Sequence, residues 1–275
     1  MIIITCISDN QHPGYKLLSA SCDYYGLKLK TLIHRSGWSS HRLKDVYVRM
    51  YLETLDPDEV VLFTDGYDAL FVSDEEEILN NYRSFGMPVV FSTEINCYPQ
   101  QALSAEYGVG KTKFQYLNSG GYIGTVSALL NLFDKFESVV SAAFSPGKDS
   151  FLWSNQFVWT KIYLHNREEI CLDCRCSIFQ TFVNRIDIFG NVAQDKETLF
   201  NEEISRMLDD FYIENDRLYN KITNSRPSHL HFNGLLSKSL VNSSFLNTLL
   251  PWRKPAHEAI VPLSAEISGR YSNNE

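Results

Sequence analysis

The chain has 275 residues, 44% of them apolar, and a formal net charge of −8. That length suits one large α/β domain or two small ones, and the apolar fraction supports a sizeable core and argues against disorder. The acidic balance excludes free nucleic acid as a partner, because phosphate binding needs a basic face, and no apolar run approaches the roughly 20 residues of a membrane span.

Met1-Ile2-Ile3-Ile4-Thr5 lacks a basic leader and enters a strand at once. No secretory signal is expected there, and a chain complete as it stands would be cytoplasmic. The first strand is predicted over Ile2 to Ile7, ending at Ser8-Asp9-Asn10. A helix from about Tyr15 to Tyr25 stops at Gly26. Leu27 to Ile33 alternates and reads as a second strand, Gly37 to Ser40 as a loop. Helical spacing through Val48, Tyr51, Leu52 and Leu55 predicts a helix from Lys44 that Asp56-Pro57 ends. Val60-Val61-Leu62-Phe63-Thr64 then forms an apolar run of strand length that stops at Asp65-Gly66-Tyr67-Asp68. Ser73-Asp74-Glu75-Glu76 opens a capped helix running to about Phe85, and Val89 to Ser92 is another buried strand ending at Thr93-Glu94. Strand and helix alternate, which predicts a mostly parallel α/β sheet.

The middle of the chain is less regular. Cys97-Tyr98-Pro99 and Gly108 to Gly110 read as loop. Tyr116 to Gly124 reads as a short apolar approach, a polar Gly120-Gly121 turn and a second apolar piece. Helices are expected over Ser127 to Val140 and Gln156 to Leu164, and a helix and hairpin insertion between Asp195 and Arg226. One domain over 1–254 is the simplest count, followed by a polar tail at 255–275. The six cysteines include a C-x-x-C at Cys171 to Cys174. No second Cys or His pair stands nearby to complete a zinc site. Cys174 and Cys176 are expected on one face of a strand, as reduced structural thiols.

The strand running into Asp65 and Asp68 carries the chemical argument. In open α/β sheets ligands bind beyond the carboxyl ends of the strands. Two aspartates in a tight turn there can share one hard divalent cation, which keeps open positions for substrate phosphates. Tyr67 offers an aromatic face for a base. His231, in His229-Leu230-His231-Phe232-Asn233-Gly234, could complete a mixed oxygen and nitrogen shell that suits manganese; His229 competes for that role. Asn118-Ser119-Gly120-Gly121 could hold a sugar or its acceptor on close-approaching backbone, and Glu94 could bind sugar hydroxyls. Each piece alone also has a plain reading: a strand exit, a hydrogen-bonded histidine, a simple turn, a solvated loop acid.

Taken together and in order, these segments resemble the glycosyltransferase domain of the procollagen lysyl hydroxylases. The resemblance runs from about Ile2 to Trp252. Its strand followed by D-x-Y-D is matched by Val60 to Asp68, its F-S-x-E by Phe91 to Glu94, and the following aromatic-Pro by Tyr98-Pro99. Its N-S-G-G-F-I-G is matched by Asn118 to Gly124 with Tyr122 for Phe. Leu172-Asp173 through Ile178-Phe179-Gln180 and His231 to Gly234 match two more motifs.

The resemblance implies a single GT-A type, Rossmann-like α/β domain with a mostly parallel central sheet flanked by helices. It implies Mn2+, or Mg2+, held by Asp65, Asp68 and His231, and a UDP-sugar donor. Thr5, Tyr67 and either Lys44 or Arg42 would face the nucleotide, Lys238 the phosphate, and Tyr98, Gly120 and Gly234 the bound donor. Glu94, Asn118, Asn155 and Asp149 would serve the transfer. The implied reaction is a retaining transfer of glucose from UDP-glucose to galactosyl-hydroxylysine of collagen or a collagen-like protein, within a larger multidomain enzyme or a homodimer. Ser154-Asn155-Gln156 departs from the family's D-D-Q. Asn hydrogen-bonds a hydroxyl but supplies no charge, so another glycan acceptor, or donor binding without turnover, stands as the alternative.

Overall fold

A computed structural model describes residues 1–35, 40–143, 151–183, 202, 205–206, 208–234 and 250. Six strands form the central sheet: β1 (Ile2–Ile7), β2 (Leu29–Ile33), β3 (Val60–Thr64), β5 (Val89–Glu94), β6 (Tyr116–Thr125) and β7 (Ile170–Leu172), in the order β2-β1-β3-β6-β5-β7. The β1–β2, β1–β3 and β5–β7 pairs are parallel; β6 alone runs against its two neighbours.

Period-two alternation sorts the side chains between two layers. Ile2, Ile4, Val61, Phe63, Val89, Phe91 and Tyr122 face one side. There they pack with Val48 and Leu52 of α2 (Leu43–Leu52), Leu129, Leu132 and Phe133 of α5 (Val126–Ala143), and Phe157 and Trp159 of α6 (Asn155–His165). Ile3, Leu62, Val90 and Ile123 face the other side, against Leu18 and Cys22 of α1 (Pro13–Tyr24) and Ile78 and Tyr82 of α3 (Glu75–Phe85). With both faces covered, the strands need no polar side, which is why β1 reads as an unbroken apolar run. Helix α3 starts at Asp74, whose side chain accepts from the Glu77 amide, and ends at Gly86, whose φ of 61° suits glycine.

A second sheet of three strands builds the acidic corner. β4 (Ala69–Phe71) follows directly on Asp68, and β11 (His229–His231) lies between β4 and β8 (Phe179–Thr181), antiparallel to the first and parallel to the second. Asp173 clamps the turn between β7 and β8: its fully buried carboxylate accepts from the amides of Ser177, Ile178 and Phe179 at 2.7–2.9 Å.

Two expectations need correction. The Asn118 to Gly121 segment is the interior of β6, not a turn. Phe91 faces Tyr122 and the next residue, Ser92, faces Asn118, so Ser119, Gly120 and Gly121 have no opposite number on β5 and bulge. The glycines serve close packing rather than chain reversal. Cys174 and Cys176 lie in the turn between β7 and β8, with Cys176 at φ 51°, so no strand face is shared. All six cysteines are free thiols. In the Asp195 to Arg226 region a hairpin is present, β9 (Phe211–Glu214) and β10 (Arg217–Asn220); the part before 202 lies outside the described residues, as does the 255–275 tail.

Candidate active site

β1 is flanked by β2 on one side and β3 on the other, and the helices that follow β1 and β2 cover opposite faces of the sheet. That makes the carboxyl ends of β1 and β3 a topological switch point, the crevice where α/β sheets bind ligands. Asp65 and Asp68 stand at the end of β3. The amide of Asp65 donates to the Gly120 carbonyl at 2.9 Å, fixing the turn to β6. On the other side Phe232 donates its amide to the Asp68 carbonyl at 2.7 Å, and the β4–β11 register sets His231 opposite Ala69, one residue past Asp68. One carboxylate oxygen each of Asp65 and Asp68 and one ring nitrogen of His231 therefore lie within 4.8 Å of one another. His231 Nε2 is 3.7 Å from Asp65 Oδ2 and 3.5 Å from Asp68 Oδ1, while Nδ1 is held 3.2 Å from Asn118 Oδ1.

Gly120 explains why the corner can close. A Cβ at that position would lie 2.2 Å from His231 Cε1 and 2.8 Å from Asp65 Oδ2. Gly66 plays the same part below: its Cβ would meet Ile7 Cγ2 at 2.3 Å and Thr5 Oγ1 at 2.8 Å. Thr5 is fully buried beneath the turn, its hydroxyl without a hydrogen-bond partner.

Two expected neighbours converge here. Of Lys44 and Arg42, Lys44 reaches the corner, with Nζ 2.6 Å from Asp65 Oδ1. Burial works against its charge, but Asp65 and Asp45 outweigh that and move its pKa up. Burial also works to lower the His231 imidazole, and the Asp68 and Asp65 carboxylates again turn the net direction upward. Tyr67 sits beside them. Its hydroxyl accepts from the amides of Ser8 (2.8 Å) and Asp9 (2.7 Å), and its ring lies 4.3 Å from that of His12, centroid to centroid.

A second group of polar side chains continues from Asn118. Glu94 is 3% exposed, not a solvated loop acid. Its Oε1 accepts from Asn118 Nδ2 at 3.2 Å and Gln156 Nε2 at 2.5 Å, its Oε2 from Asn233 Nδ2 at 3.3 Å. Burial nevertheless pushes its pKa up to about 7. Asn155 lies on the same wall, its Oδ1 accepting from Ser119 Oγ at 3.3 Å. Tyr98 stays at the rim, 46% exposed, its carbonyl accepting from Gln156 at 3.1 Å. Gly234 follows directly on Asn233 at φ 95°. Asp149 and Lys238 lie outside the described residues.

His229 shares the strand face of His231 but not its setting. Thr64 Oγ1 donates to the Asp65 carbonyl, so the 2.7 Å contact to His229 has the ring Nε2–H donating. Burial lowers its pKa well below the ordinary value, so it stays neutral and structural. Three further residues, given no role by the sequence reading, contribute to the site. Gln156 and Asn233 complete the Glu94 network. Asp45, 3% exposed, accepts from Trp159 Nε1 at 2.8 Å; burial raises it to about 6 against Lys44 and the Trp159 and Asn155 hydrogen bonds. Its signal was present: Asp45 falls at i of the i, i+3, i+7 apolar stripe with Val48 and Leu52, where a carboxylate is out of place.

The family model described as "PLOD GT domain" matches residues 1–249. The chain belongs to that family. Procollagen-lysine,2-oxoglutarate 5-dioxygenase 1 is 30% identical in Bos taurus over 198 residues, covering 68% of this chain and 26% of that protein. Procollagen-lysine,2-oxoglutarate 5-dioxygenase 2 of Homo sapiens is 25% identical, with the same coverage of both chains. Uncharacterized protein R699 of Acanthamoeba polyphaga mimivirus is 29% identical, covering 69% of this chain and 34% of its own length. The chain thus spans about a quarter of the procollagen relatives it matches. A solved glycosyltransferase involved in the glycosylation of the major capsid of PBCV-1 overlays at a TM-score of 0.47 with 9% identity, over 88% of this chain and 99% of that one. The chain is a glycosyltransferase domain of the PLOD family, with a mixed α/β architecture around a six-stranded central sheet. Among the described residues no helix is long and apolar enough to cross a membrane.

Proposed function

We propose that this domain is a metal-dependent glycosyltransferase that takes a UDP-sugar, with glucose from UDP-glucose as the donor and a galactosyl-hydroxylysine of a collagen-like protein as the acceptor. The observation that carries the reading is the convergence of Asp65, Asp68 and His231 at the strand-end crevice. These donors fit a divalent ion: two carboxylates and an imidazole, the His231 Nε2 buried without a hydrogen-bond partner, and Gly120, which lacks a Cβ, letting the imidazole and the Asp65 carboxylate pack against β6. The oxygen and nitrogen mixture suits Mn2+, with Mg2+ as substitute. Such an ion, when bound, supplies Lewis-acid neutralisation of the diphosphate.

The chain's own residues supply the rest. Lys44 brings a fixed positive charge to the side of Asp65 where a diphosphate would lie. Tyr67, tied to the β1–α1 loop by its hydroxyl, gives a fixed ring for the base, and Thr5 lies buried beneath the Gly66 turn. Glu94, Asn118 and Asn155 form a buried polar wall whose amides and carboxyl can orient sugar hydroxyls. Glu94 is locked by three amide donors, which casts it as an orienting group rather than a nucleophile, in keeping with retention without a covalent intermediate. Lys238 is assigned to the phosphate by the family resemblance, and Asp149 is the chain's own candidate to stand in for the aspartate that Ser154-Asn155 lacks. The 1–254 span is taken as one functional domain, and any pairing or larger enzyme context as a property of the longer protein.

The test is UDP release from UDP-glucose in the presence of Mn2+, with and without a galactosyl-hydroxylysine peptide. Release stimulated by that peptide and abolished in Asp65→Ala and Asp68→Ala supports the reading. Stimulation only by a different glycan, which Asn155 in place of an acid would favour, moves the acceptor elsewhere. UDP binding without release refutes turnover.

A further inference from the structure

Asp45 is a carboxylate 3% exposed, at an apolar phase of α2. A charge is costly in such a place. Asp45 Oδ1 accepts from Trp159 Nε1 at 2.8 Å, but the oxygen of a neutral amide would accept that bond as well. The contacts on its other side show what the charge itself is for.

The Asn155 carboxamide, also buried, hydrogen-bonds the Asp45 carboxylate and draws its pKa down against the effect of burial. Among the described residues nothing else satisfies Asp45 Oδ2 or Asn155 Nδ2. A carboxylate only accepts, so it takes the amino end of the carboxamide and leaves the oxygen end to Ser119 Oγ, 3.3 Å away. The Ser119 amide in turn donates to Gln156 Oε1 at 3.2 Å, and Gln156 Nε2 donates to Glu94. Two successive carboxamides of α6 are thus oriented by two different acids, Asn155 by Asp45 and Gln156 by Glu94. The preceding residue on α2, Lys44, sends its Nζ to Asp65 Oδ1 at 2.6 Å. One turn of helix therefore reaches the acidic corner with one side chain and the back of the polar wall with the next.

Asp45→Asn would keep the Trp159 bond but turn an amino group toward the Asn155 amino group. Two donors cannot pair, so the Asn155 carboxamide must flip and set Nδ2 against Ser119 Oγ. Ser119 would then accept where it now donates, and donor and acceptor change places on the wall.

We propose that Asp45 is a positioning residue of the transfer step, its charge locking the Asn155 carboxamide in the orientation that the polar wall presents to the sugar. The assignment rests on the transferase reading above. The test uses the full chain with isotope-labelled asparagine. The Asn155 side-chain amino resonances, identified by their loss in Asn155→Ala, should be protected from solvent in wild type and should move in Asp45→Asn. With Mn2+, UDP-glucose and the acceptor peptide, Asp45→Asn should lower kcat about tenfold or more at an unchanged KM for UDP-glucose. Its melting temperature should not fall, because burial works against the charge that is removed. Combining Asp45→Asn with Asn155→Asp carries the carboxylate across the contact, keeps a donor opposite every acceptor, and should return most of the turnover. Equal kcat in wild type and Asp45→Asn, unmoved Asn155 resonances, or a double variant no faster than Asp45→Asn each overturn the lock. A loss of kcat that comes with a lower melting temperature makes Asp45 merely structural and also overturns it. UDP release by wild type is read separately: if there is none, the transferase reading fails, and the Asn155 resonances alone decide whether Asp45 holds the carboxamide.

Discussion

Replacing Gly120 by alanine adds one methyl group at the point where three strands meet. Its carbon would sit 2.2 Å from His231 Cε1 and 2.8 Å from both Asp65 Oδ2 and His231 Nδ1. Ordinary contacts between heavy atoms lie near 3.5–4.0 Å, so the nearest overlap exceeds about 1 Å. The Gly120 carbonyl is held by the Asp65 amide, so the His231 ring must swing away or the bulged strand must distort. Overpacking of this kind costs about 1–3 kcal/mol, which for a chain of this size lowers Tm by roughly 2–12 °C. The more telling effect is on metal affinity. Disturbing groups that only support a ligand commonly costs about 10–100-fold, and here a ligand itself moves. Gly121→Ala is the control: its Cβ meets Phe179 at 2.8 Å, not His231 or Asp65. Calorimetric titration with Mn2+ should show at least about a tenfold loss for Gly120→Ala and little change for Gly121→Ala, although both melt lower. Equal Mn2+ affinity in wild type and Gly120→Ala refutes the reasoning.

Asp173→Ala should be among the most damaging single changes, because it strands two buried amides and one part-buried amide at the β7–β8 turn; a loss of about 3–5 kcal/mol is expected in urea unfolding, and a loss under about 1 kcal/mol would show that water replaces the carboxylate. Glu94 gives a pH signature. Its folded pKa, about 7, lies above the 4.5 of the free side chain, so the folded state holds its proton more tightly and stability falls as pH rises between those values, then levels off. Asp45, raised to about 6, acts in the same direction over a narrower range. Glu94→Gln should therefore flatten the fall in Tm between pH 5 and pH 8; a fall as steep as in wild type assigns it to other groups. Tyr67→Phe removes the acceptor of the Ser8 and Asp9 amides and should weaken UDP affinity several-fold with Tm within a few degrees of wild type, measured by titration; unaltered affinity would exclude the β1–α1 loop from nucleotide binding.

How far the site could be read in advance depended on sequence distance. An apolar strand breaking into Asp65 and Asp68 is a local pattern, and its place at a strand end followed from the alternation of elements. His231 is 163 residues from Asp68, and only the register of β4 with β11 unites them; family resemblance supplied what periodicity had no means to give. Gly120-Gly121 predicts a turn from sequence because glycine's local signal is chain reversal. Their actual cause, a Cβ excluded by His231 and Phe179, is tertiary. Glu94 was read at the correct sheet edge, but its burial comes from Asn118, Gln156 and Asn233 on three other segments. Asp45 was missed although its helical phase gave it away.

The most direct measurement is anomalous diffraction from a crystal of this chain grown with Mn2+ and UDP. One manganese peak is expected within bonding distance of Asp65, Asp68 and His231, with the diphosphate of UDP on its open side. A peak elsewhere, or UDP bound with His231 not coordinating the metal, contradicts it.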